Sequence, residues 1–136
     1  MAAHEVHDYL YYKTSSYISI FLIQEKHNPN SRYKVWLDLL PNAYLDSPLF
    51  FTQEEKDLLT GSYFKDVIDE EIEGNEYDFG VLQRQVPGLK EAIEFEEYLQ
   101  MQVLMWSRVF SMEVDGKETT GMVPFADMPN HDSRLK

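Results

Sequence analysis

Apolar residues at steps of three and four mark most of this chain as helical. In residues 6–26, Tyr9, Leu10, Tyr17, Ile18, Phe21 and Leu22 follow that spacing, which favours a helix with one buried face. The run Tyr17-Ile18-Ser19-Ile20-Phe21-Leu22-Ile23 is also rich in β-formers, so a strand stays open there. His27-Asn28-Pro29-Asn30 reads as a turn, and Ser31 is a good N-cap for a short helix reaching Leu40, with Trp36, Leu37 and Leu40 inward and Pro41 ending it. Thr52-Gln53-Glu54-Glu55 has the form of a capping box, and the helix it opens should stop at Gly61. Ser62 caps the next helix, whose inner stripe is Phe64, Ile68, Ile72, Phe79 and Leu82; Gly74-Asn75 interrupts it and is a place for a kink. After the Pro87-Gly88 break, one helix is expected over residues 92–110, with Phe95, Leu99, Val103, Trp106 and Phe110 as its stripe. Residues 111–114 and 119–123 flank Asp115-Gly116, a tight-turn pair, so a short hairpin closes the chain before Pro124. The expected fold is one domain over residues 1–136, mainly α with a short β-hairpin near the C-terminus.

Composition adjusts this picture. With 136 residues and 43% hydrophobic content there is enough apolar material for a core. The formal charge of −12 is the wrong sign for a free-standing nucleic-acid binder or for an anionic membrane surface. Residues 54–78 hold ten acidic residues and two basic ones, either a solvated helix face or a docking surface for a basic partner. The absence of cysteine excludes a disulfide scaffold, a thiol nucleophile and a cysteine zinc site. The apolar run at residues 17–23 is far short of a membrane helix, and no leader pattern opens the sequence. An intracellular, cytoplasmic protein is expected.

The usual catalytic patterns are sparse. His4 and His7 have chelating spacing but lack a further ligand. Glu70-Glu71 and Glu96-Glu97 are adjacent pairs, which point in different directions on a helix and read as solvated charges. There is no nucleophile elbow around a serine and no glycine-rich phosphate loop.

The remaining signal is at the C-terminal end. Trp106-Ser107-Arg108-Val109-Phe110-Ser111 closes a helix, and Gly121-Met122-Val123-Pro124-Phe125-Ala126-Asp127-Met128-Pro129-Asn130-His131 follows a strand. Upstream stand Glu25-Lys26, Ser31, Trp36, Leu40-Pro41 and Leu58-Leu59-Thr60-Gly61-Ser62. In this order, over about residues 20–131, these segments resemble SET-domain protein methyltransferases of the Rubisco large-subunit and actin-histidine type. The resemblance implies that Asn130 and His131 contact S-adenosylmethionine. It also implies that Arg108 lies near the cofactor and substrate pocket and that Asp127 is on the substrate side. An amide side chain suits the amino-acid end of such a cofactor, and a guanidinium suits a carboxylate or carbonyl. Read from the residues alone, Arg108 and Asp127 equally make an ion pair supporting the hairpin, and Asn130 a helix cap.

Two positions depart from the family pattern. Pro129 stands where an aliphatic residue is usual, and Met112 where the Rubisco-type enzymes carry a second arginine. The family's glycine-rich segment before the helices and its tyrosine-bearing segment after Asn-His do not appear in the sequence. The resemblance therefore implies a partial SET domain, with residues 6–110 as the helical insertion and residues 111–136 as the start of the C-terminal segment. Alone it is expected to be inactive, to bind cofactor weakly or not at all, and to leave apolar surface uncovered for a protein partner or self-association. The alternative is a non-catalytic helical interaction module held in a larger assembly.

Overall fold

The structure, a computed structural model, describes residues 3–41 and 46–128, with side chains from Thr14 onward. It is mainly helical, with a two-stranded hairpin near the C-terminus.

The first helix, α1 (Ala3–His27), settles the ambiguity at residues 17–23 in favour of helix. Ser15, Ser16, Ser19, Ile20, Leu22 and Ile23 are buried, while Tyr17 and Phe21 are largely exposed. The buried face is thus turned away from the two aromatics that the spacing placed on it. Three serines on that face leave room for a neighbouring helix to come close, and α1 packs chiefly on α6 (Phe95–Trp106).

Ser31 does not begin a helix reaching Leu40. Its Oγ accepts from Tyr33 N at 3.0 Å and its carbonyl accepts from Lys34 N at 3.2 Å, so a turn precedes α2 (Lys34–Leu37). Beyond Leu37 the bonds Leu39 N to Trp36 O and Leu40 N to Leu37 O tighten the chain to i→i+3 spacing. Trp36, Leu37 and Leu40 are all buried, as their spacing requires.

A 3-10 turn at Pro48–Phe50 lies against α4, and α3 (Gln53–Asp57) starts with the expected capping box. Thr52 Oγ1 accepts from Glu55 N at 3.3 Å, and Thr52 N donates to Glu55 Oε2 at 2.8 Å. The backbone donor, then the hydroxyl, hold the Glu55 carboxyl below its ordinary pKa. α3 stops at Asp57, short of Gly61. Further turns carry the chain to Gly61, whose φ of 85° suits a residue without Cβ.

Ser62 Oγ accepts from Phe64 N and opens α4 (Tyr63–Gln85). This helix is unbroken at Gly74-Asn75, where Asn75 Nδ2 donates to Glu71 O at 2.8 Å. Ile68, Phe79 and Leu82 are buried, but Phe64 is about half exposed.

The single helix expected over residues 92–110 is instead two helices and the start of a strand. α5 (Leu89–Ala92) ends at Ile93, whose extended backbone separates it from α6. Nor do Phe95, Leu99, Val103, Trp106 and Phe110 form the buried stripe: Trp106 and Phe110 are exposed, and Tyr98, Leu99, Met101, Gln102, Leu104 and Met105 are buried. The reason is position. α6 has α1 against one side and α4 against another, so it is covered round most of its circumference. Tyr98 sits at this centre, stacked on Phe79 at 4.9 Å between ring centroids. Its hydroxyl donates to Ser16 Oγ at 3.0 Å and accepts from Gln102 Nε2 at 2.7 Å, and burial raises its pKa.

Strands β1 (Val109–Val114) and β2 (Lys117–Met122) pair antiparallel from Val109–Met122 to Val114–Lys117. Pairing from Val109 onward is what claims Phe110 for the sheet. Asp115 and Gly116 have φ of 53° and 74°, the two left-handed positions of a type I′ turn.

Candidate functional site

The C-terminal end is tied to the body by polar groups. Arg108 leaves α6 with its N donating to Met105 O, which places its side chain beside the chain that returns from β2. Pro124 lacks the amide to continue the ladder, and Phe125 turns the chain at φ 68°. Ala126 N then donates to Val123 O and Met128 N to Phe125 O, so residues 123–128 curl inward.

That curl delivers Asp127. Its side chain is fully enclosed, with Oδ2 3.2 Å from Arg108 Nη1 and Oδ1 accepting from Trp36 Nε1 at 3.0 Å. Arg108 Nη1 also donates to the Asp127 backbone carbonyl at 3.0 Å. One carboxylate thereby joins α2, the end of α6 and the segment after β2. An enclosed carboxylate needs both a cation and a donor for its second oxygen, and here it has both.

Arg108 and Asp127, chosen from the sequence, are thus brought together. The sequence marks Trp36 only as a core residue and a family anchor. Its signal was there, since a buried indole N–H needs an acceptor. Two other family anchors also meet: Ser31 Oγ donates to Glu25 Oε2 at 2.5 Å. Asn130, His131 and Pro129 lie outside the described residues, as do the side chains of His4 and His7. Of the residues implied for cofactor contact, only Arg108 is described, and its Nη1 is committed to Asp127. Among the described residues no group of three His, Asp or Glu side chains is placed to hold a metal ion. No helix there is long and apolar enough to cross a membrane.

Comparison with known proteins gives a class and then particular relatives. No protein-family model and no solved structure matches the chain. The chain is similar to plant N-methyltransferases that act on proteins. It is 26% identical over 125 residues to the ribulose-1,5 bisphosphate carboxylase/oxygenase large subunit N-methyltransferase, chloroplastic, of Nicotiana tabacum, covering 87% of this chain and 24% of that enzyme. It is 28% identical over 124 residues to the fructose-bisphosphate aldolase-lysine N-methyltransferase, chloroplastic, of Arabidopsis thaliana, covering 88% of this chain and 25% of that enzyme. The chain therefore spans about a quarter of the length of these relatives.

Proposed function

We propose that these residues are a section of a SET-type protein methyltransferase, comprising its helical insertion and the beginning of its C-terminal half. The junction of Trp36, Arg108 and Asp127 carries this reading. Trp36 and Arg108, in two segments that resemble the family, converge on the buried carboxylate of Asp127 in a third. The similarity to the two plant enzymes supports it independently of the structure. S-adenosylmethionine would supply the methyl group, and a lysine or histidine side chain of another protein would receive it. In this reading Arg108 and Asp127 fix the path of the chain into Asn130-His131, and Asn130 and His131 meet the cofactor. Positioning of this kind is where much of the rate of a bimolecular transfer comes from. An intracellular location belongs to the same proposal.

The hairpin favours a larger assembly. An isolated two-stranded sheet is marginal in water, and here Phe110, Val114, Val123 and Phe125 remain exposed beside it. Further strands of a whole enzyme would cover them. In the second reading, a non-catalytic module, a protein partner or a second copy does so.

The test is a chimera in which these residues replace the matching section of the tobacco enzyme, assayed with labelled S-adenosylmethionine. The chimera is expected to transfer methyl groups and to lose that activity on Asn130→Ala, while the 136-residue chain alone transfers none. A chimera that folds by circular dichroism yet binds no S-adenosylmethionine would overturn the methyltransferase reading. Concentration-dependent self-association of the short chain would then favour the module.

A further inference from the structure

Away from the Arg108–Asp127 junction, a groove of about 480 Å³ runs between α1, α4 and α6. One wall is the middle of α4, with Glu70, Glu71 and Asp78; Trp106 and Tyr77 supply aromatic surface. Elsewhere on α4 an acid finds partners: Asp69 is bound by Lys56 and Lys65 at 3.0 Å each. The carboxylates of Glu70, Glu71 and Asp78 have no cation or hydrogen-bond donor among the described side chains. Burial without a compensating charge also pushes the Asp78 carboxyl up from its ordinary pKa.

A second observation comes from α6. Gln102 lines the groove yet is only 3% exposed. Its Nε2 is spent on Tyr98, and its Oε1 accepts no hydrogen bond among the described residues. The only fully enclosed side-chain polar atom without a partner among them is Ser19 Oγ, so the Gln102 oxygen is not sealed off, and its residue lines the groove. The Tyr98 hydroxyl, donating to Ser16, holds the amide in this sense. The groove thus presents a buried acceptor, three carboxylates and aromatic faces. Ser15, Ser16, Asn75, Tyr77 and Trp106 also bring O–H or N–H groups, but every charged side chain of the lining is a carboxylate. The groove fits a cationic side chain with an apolar stem, whose head meets the acceptors while its methylenes cover the rings.

We propose that this groove binds a basic segment of a partner protein through its lysine or arginine side chains. The site goes beyond the methyl-transfer reading and does not rest on it.

The test is fluorescence anisotropy of a labelled, alternating lysine–glycine octapeptide with the 136-residue chain. The chain as a whole is acidic, so general attraction must be separated from the groove. Glu70→Gln/Glu71→Gln/Asp78→Asn is therefore compared with Glu54→Gln/Glu94→Gln/Glu118→Gln, which removes the same charge from exposed positions elsewhere. The groove variant is expected to weaken binding by about tenfold or more and the control by less than about twofold. Each groove substitution is also made singly, at positions on a helix face, and folding is checked by circular dichroism. Equal weakening by the two triple variants would overturn the proposal, as would no saturable binding by the unaltered chain. Equal affinity for a glutamate–glycine octapeptide would do the same.

Discussion

The helical body and the C-terminal hairpin are held by different physics. In the body, Ile23, Leu89, Tyr98 and Met105 are almost wholly removed from water, and apolar burial dominates. In the hairpin no residue of β1 or β2 is buried. Its attachment rests on partly buried Met122 and Met128 and on the Asp127 carboxylate between Arg108 and Trp36. A greasy core tolerates volume-conserving exchange. A buried ion pair does not tolerate loss of one partner, because the other is left charged and dry. The segment that leads to the proposed cofactor residues is therefore joined by the less forgiving kind of contact.

The largest effect is expected where that contact is broken. Asp127→Ala takes the acceptor from the Trp36 indole N–H and the counter-charge from the Arg108 guanidinium, whose bond to the backbone carbonyl at 127 remains. It should cost about 3–5 kcal/mol in chemical denaturation. The double variant Asp127→Ala/Arg108→Met should recover part of this, since no cation then stands there without its carboxylate. A loss below about 1 kcal/mol for Asp127→Ala would place the pair with weak surface bridges and dissolve the contrast between the two regions.

A smaller loss tests the polar element inside the body. Tyr98→Phe keeps the stacking on Phe79 and removes only the hydroxyl shared by Ser16 and Gln102. Leaving the Gln102 amide N–H without an acceptor should cost about 1–3 kcal/mol, read from the denaturation midpoint. A cost equal to that of Asp127→Ala would mean that the body, too, depends on buried polar contacts.

How far the sequence could be read follows the same division. Local signals with fixed stereochemistry were legible: the Thr52–Glu55 capping box, the Ser62 cap and the Asp115-Gly116 turn each need only neighbouring atoms. The pairing of Arg108 with Asp127 was one of two readings open from the residues. What failed depends on which elements become neighbours. The α6 stripe assumed one covered face, but α6 lies between α1 and α4. Tyr17 and Phe21 were read as inward, but serines form the close face of α1 because Tyr98 needs both space and an acceptor there. Trp36 could not be joined to Asp127, because 91 residues of sequence separate them.

The finest comparison is between two aspartates on α4. Asp69, hydrogen-bonded by Lys65 and then Lys56, has its pKa lowered; Asp78, desolvated without a cation, has its pKa raised. The signs follow. Asp69 contributes stability above the ordinary carboxylate pKa, and this is lost as pH falls through its lower folded value. Asp78 favours the fold while protonated, below the ordinary value, and that favour is lost as pH rises through its raised folded value. At neutral pH, Asp69→Asn should therefore lower the urea midpoint and Asp78→Asn should raise it. On acidification the Asp78 effect fades first and the Asp69 effect last. Added salt should shrink the Asp69 effect more, because screening acts on its part-buried lysine contacts and hardly on desolvation. If Asp78→Asn stabilises the chain while weakening the lysine peptide, that carboxylate is kept against the fold's own interest, as expected of a group retained for binding. If it leaves both unchanged, Asp78 is an ordinary solvated charge and the groove loses one of its walls.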